Sequence, residues 1–163
     1  MGHRYTAPMF LAQLFLFVHI IGAIALVGGS MAASILGHLA RRAPGLVERR
    51  HIVLTVSPPV ERMVGISVPI TVISGLVTLM LFGYSITDLW VLGTGLLIVA
   101  NVLIQTQYWA KVGPRVHKAL EGGDDAAAVA LMRDPTSVAM GRIEVSIGFV
   151  IVALMVFRPN WPG

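Results

Sequence analysis

The stretch MFLAQLFLFVHIIGAIALVGGSMAASIL, residues 9–36, contains no Asp, Glu, Lys or Arg. As a helix it would be about 42 Å long, more than the ~30 Å hydrocarbon core of a bilayer. It reads as a membrane span that tilts or protrudes. Three further apolar stretches follow at about 63–84, 89–110 and 138–157. Each approaches or exceeds the roughly 20 residues a spanning helix needs. The last is the weakest, because Arg142 and Glu144 lie in its first turns. Over all 163 residues, 56% are hydrophobic and 12% charged. That is about half the charge of a soluble domain, so lipid must solvate much of the surface. The expected fold is all-α: a single integral membrane four-helix bundle over residues 1–163.

The cations set the expected orientation. Arg41, Arg42, Arg49, Arg50 and Arg62 lie between the first two spans or at their edges, and Lys111, Arg115, Lys118, Arg133 and Arg142 do the same for the last two. Only Arg4 and Arg158 lie elsewhere. By the positive-inside rule, loops 37–61 and 111–137 should be cytoplasmic and both termini non-cytoplasmic. The aromatics agree: Tyr5, Tyr84, Trp90 and Trp161 fall at the expected outer edge, and Tyr108 and Trp109 at the inner edge. The net charge of +4 follows this topology and makes no nucleic-acid patch. Arg4, an apolar run and the small residues Ala32-Ala33 imitate a signal peptide, but the run is too long for a signal core, and it is expected to stay as a span.

The first basic loop, Pro44–Pro59, reads equally as a short interfacial helix or as an irregular segment. In the second, Gly122-Gly123 breaks the chain, Asp124 is placed to cap a helix over Asp125–Arg133, and Pro135 follows. Pro69, inside the second span, should kink it near Gly65.

Two polar groupings lie within the spans. His19 falls about ten residues into the first, near the membrane midplane, where an imidazole is costly unless paired or ligated. Its helix face also carries Gly22, Ala23, Ser30, Ala33 and Gly37. Small residues leave room for a flat macrocycle, and equally for close helix approach through Ala25, Gly29 and Ala33. His19 is therefore either hydrogen-bonded to a neighbouring helix or a haem or chlorophyll-type ligand. His38, the next His, is 19 residues on, too far along one helix to share an iron.

In the inner half, Asn101, Gln105 and Tyr108 form one stripe, Ser67, Thr71, Ser74 and Thr78 another, and Glu144 enters from the fourth span. Arg62, Ser67, Asn101, Gln105 and Glu144 are expected to form one polar cluster, with Arg62 rather than Arg142 pairing the carboxylate. It reads either as interhelical bonding around one ion pair or as a proton or ion entry point. Without cysteine there is no disulfide, thiolate metal site or Cys nucleophile. No metal site or catalytic residue is identified, and phosphate-loop and zinc-protease motifs are absent, which weighs against an enzyme.

Several short motifs together resemble a family of small bacterial four-helix predicted integral membrane proteins of unknown function. They are His19-Ile20-Ile21-Gly22 with Gly28-Gly29, Pro69 with Ser74-Gly75, Trp90, and Met155-Val156-Phe157-Arg158-Pro159. The resemblance covers nearly the whole chain. It extends distantly to copper-resistance D-type and membrane protoporphyrinogen-oxidase-type bundles. Those imply haem b, a first-helix His matching His19, and a third-helix Lys. Just after Trp90, where that Lys would fall, stand apolar residues and Thr94, and no span contains Lys. The chain is thus expected to sit multi-pass in the bacterial inner membrane, in contact with lipid and with other membrane subunits or copies of itself. The first reading of its function is a non-catalytic structural or accessory subunit of a larger membrane assembly. The alternatives are a haem-binding redox protein using His19, or a small transporter or proton-conducting bundle using Glu144.

Overall fold

The computed structural model describes residues 9–159, and among them the only regular structure is helical. Tyr5, Trp161 and Arg4 lie outside the described residues. The first helix, α1 (Met9–Arg42), is followed by a short α2 (Leu46–Arg50), a wide π turn (His51–Val56) and α3 (Ser57–Phe82). Then come α4 (Leu89–Ile104), a second π turn (Gln105–Trp109) and α5 (Ala110–Glu121). α6 (Asp125–Arg133) and α7 (Pro135–Phe157) complete the chain. Four helical runs are long and apolar enough to cross a membrane: Met9–Arg42, Leu46–Phe82, Leu89–Glu121 and Pro135–Phe157. Each outruns its apolar stretch at the basic end of the bundle.

The helical run through Leu46–Phe82 replaces the two readings of Pro44–Pro59 as an interfacial helix or irregular loop. Pro58 and Pro59 have no N–H to donate, and they fall in the first turn of α3, where such donors are unpaired anyway. The turn before them widens, with Ser57 N–H reaching Ile52 O five residues back. α3 also continues unbroken through Pro69. It ends at Gly83, whose φ of 73° is the left-handed conformation that lets Tyr84 N–H close onto Leu79 O at 3.0 Å. Asp124 caps α6 as its position suggests, accepting from Ala127 N–H at 2.9 Å. Asp134 does the same for α7, with Pro135 in the first turn.

The helices associate as two pairs. α1 lies antiparallel along α3, the most extensive contact in the molecule, and α4 lies on α7. Two glycines allow the first pair to close. A Cβ at Gly22 would stand 2.6 Å from Thr71 Oγ1, and one at Gly29 2.6 Å from Val64 Cγ2. Such close approach is how membrane helices gain packing energy where hydrophobicity does not drive them together. α1 also touches α7. The outward faces are apolar and bare, with Ile66 62% and Leu96 72% exposed, as lipid contact requires.

The soluble-type core sits at the basic end. Val116, Leu120 and Ala128 are buried there among Leu46, Leu54, Val112 and Leu131. Arg49 is buried in this cap. It donates to Ala40 O at 2.9 Å and Ala43 O at 2.7 Å, and forms an ion pair with Asp125. Arg133 donates to Arg41 O at 3.0 Å. These cations close carbonyls at the end of α1 that have no intrahelical partner.

Candidate functional site: an interhelical cleft

The paired arrangement leaves a cleft of about 2620 Å³ lined by all four long helical runs. Tyr84, Trp90 and Arg158 line one end, and Arg41, Arg142 and His117 the other. At the first end Arg158 donates to Tyr84 OH and lies over both rings, 4.9 Å from the Tyr84 centroid and 5.7 Å from that of Trp90. Tyr84 and Trp90 meet edge to face at 5.5 Å.

His19 lines the cleft from α1. Its Nδ1 lies 2.8 Å from Thr71 O. A carbonyl only accepts, so Nδ1 carries the donated proton, and in the neutral tautomer this leaves the lone pair on Nε2. Nε2 has no protein partner among the described residues, nor is it sealed in the interior. The ring rests on Gly75, where a Cβ would be 2.8 Å from Cε1 and 2.9 Å from Nδ1. Gly28, Gly95 and Gly148 also line the cleft, and a Cβ added at any of them meets nothing within 4 Å. Thr94 supplies a second unused polar atom: its Oγ1 is buried in the cleft wall with no partner among the described residues.

Farther along, Glu144 lines the same cleft. Its Oε1 accepts from Gln105 Nε2 at 2.7 Å and its Oε2 from Trp109 Nε1 at 2.8 Å. Gln105 and Trp109 bracket the second π turn, four residues apart, so one turn of helix offers both donors to α7. π turns often mark functional positions. Tyr108 turns to Ser137 instead, with the two oxygens 2.7 Å apart.

Of the expected polar cluster, then, only Gln105 meets Glu144. Asn101 lines the cleft but makes no side-chain hydrogen bond among the described residues. Arg62 is exposed and makes no ion pair; the one ion pair among the described residues is Arg49–Asp125. Ser67 bonds back along its own helix to Met63 O at 2.7 Å. The reason is the pairing of the helices: Arg62 and Ser67 belong to α3, which packs on α1, whereas Glu144 belongs to α7, which packs on α4. Thr71, Ser74 and Thr78 likewise bond to carbonyls four residues back rather than across helices. Reasoning from sequence missed Trp109 as a carboxylate donor, since its place at a membrane edge already accounted for it. It also missed Arg49 and Asp125, which looked like ordinary loop charges.

The family of predicted integral membrane proteins designated DUF2269 matches residues 13–159. No curated protein and no solved structure matches the chain.

Proposed function

The chain belongs to this family of predicted integral membrane proteins, and on that premise we propose that it binds a haem-type macrocycle in the interhelical cleft, which His19 would hold through Nε2. One observation carries the reading: the Nδ1–H bond to Thr71 O. Metal-ligating histidines almost always donate their other ring N–H to a carbonyl or carboxylate, which fixes the tautomer and turns the lone pair outward. The chain's other features fit. Gly75 holds the ring edge, the glycine-flattened wall leaves space, and the apolar lining keeps water out. The distant resemblance to haem-associated bundles points the same way. A bound haem supplies a redox-active iron. This chain supplies the single nitrogen, its orientation and the dry surroundings that set the potential.

The test is the absorption spectrum and pyridine haemochrome content of protein purified from cells supplied with a haem precursor. The expected result is a Soret band at near one haem per chain, lost in His19→Ala while the chain still assembles. Haem-free wild-type protein, or an unchanged band in His19→Ala, would overturn the reading.

A structural or accessory subunit is the second reading. It is supported by how little of the α4 and α7 spans the chain buries by itself, 6% in each. A partner helix would then cover faces otherwise left to lipid, and co-purification of a second membrane chain in fixed ratio would favour it.

A further inference from the structure

We propose that Glu144 is a head-group site for a singly charged ammonium amphiphile whose apolar tail lies along the cleft. The proposal rests on Glu144, Gln105 and Trp109, and does not depend on His19 binding haem.

Both carboxylate oxygens accept an N–H, at 2.7 and 2.8 Å. An ionised carboxylate is acceptor-only and suits this pair of donors. Both donors are neutral, so they orient the group and leave its charge in place. No Lys, Arg or His nitrogen lies within 4.0 Å of it among the described residues. A carboxylate in the wall of a membrane cleft is costly without a counter-charge, and here the protein supplies none. A cation entering the cleft would supply the missing countercharge and hold the carboxylate in its ionised form.

The surroundings choose its chemistry. No group of three or more His, Cys, Asp or Glu is assembled among the described residues, so a dehydrated metal ion lacks ligands. Val102, Val145 and Phe149 line the cleft beside the polar trio and suit a hydrocarbon tail. The Trp109 indole N–H fixes Oε2 in place, so the carboxylate is presented in one orientation. The basic end of the cleft is lined by Arg41, Arg142 and Lys118 together with Glu61 and Glu121, so an apolar tail is better accommodated along the hydrophobic side chains of the span interior.

The experiment uses the full-length protein in nanodiscs of zwitterionic lipid. Dodecyltrimethylammonium is the probe, bound amounts are measured after equilibrium dialysis, and empty nanodiscs are subtracted. The expected result is one saturable site per chain. Glu144→Gln should weaken it at least about tenfold and Trp109→Leu by a smaller factor, as loss of an ion pair and of a hydrogen bond that orients the carboxylate predict. On the wild-type protein, dodecanol and dodecyl sulfate should fail to displace the probe. This arm needs no variant, so it stands even where a substitution impairs folding. Absence of saturable binding, equal affinity in a Glu144→Gln protein with an unchanged melting curve, or displacement by dodecanol would overturn the proposal.

Discussion

At the scale of single residues, two glycines in the cleft wall behave oppositely. The His19 ring lies on Gly75, so Gly75→Ala must push it away. The expected cost is about 1–3 kcal/mol, the range for overpacking, with a loss of whatever His19 binds. Gly28 faces open space, so Gly28→Ala should be neutral or stabilise by up to about 1 kcal/mol through helix propensity. Thermal melts in detergent check both, and equal melting shifts would show that His19 is not seated on Gly75. The carboxylate gives a second contrast. Arg62 is exposed and away from Glu144, so Arg62→Ala should change stability by less than about 0.5 kcal/mol. Gln105→Leu removes a donor to Oε1 and should cost about 1–3 kcal/mol. Sequence alone suggested Arg62 as the partner of the carboxylate, and the same melts test that expectation.

At the scale of elements, the cap at the basic end is held by one buried cation. Arg49 joins the last carbonyls of α1 to the first turn of α6 through Ala40 O, Ala43 O and Asp125. Arg49→Met removes all three bonds at once and strands the carboxylate. Hydrogen exchange of α5 and α6 should accelerate, with a loss of about 3 kcal/mol, the lower end for breaking a buried pair because Asp125 is itself 37% exposed. Asp125→Asn keeps both carbonyl bonds and should cost less. An equal effect of the two substitutions would mean that the ion pair, not the capping of α1, holds the cap. The α6 boundaries were readable in advance, since Asp124, Gly122-Gly123 and Pro135 act on their immediate neighbours. The helical continuation from Leu46 to Phe82 was not. Its prolines signal an end, and only the preceding wide turn lets the helix carry on.

At the scale of the molecule, the chain is a multi-pass membrane protein whose exposed helix faces are largely apolar. Ten of its twelve cations are expected on one side. With no native cysteine, the orientation is testable by single labels. With a membrane-impermeant reagent, a cysteine replacing Glu48 should react only in inverted vesicles, and one replacing Ile86 only in intact cells. Labelling of both from the same side would refute the topology. The cleft belongs to this scale too, because no one helix contains it.

What the sequence determined by itself was the set of four spans, the cap signals of α6, and the presence of His19 and Glu144 within apolar runs. Each depends on hydrophobicity or chemistry local to a residue and its near neighbours, so linear reading suffices. The partners of those residues were decided only by tertiary structure: His19 with Thr71 and Gly75, Glu144 with Gln105 and Trp109, Arg62 with neither. In a bilayer, the face a helix turns to lipid and the face it turns to another helix are equally apolar. The hydrophobic pattern therefore carries little contrast from which to pair helices. The pairs α1–α3 and α4–α7, and the cleft they leave, follow from close approach at Gly22 and Gly29 and from side-chain shape, which appear only when the chain is folded.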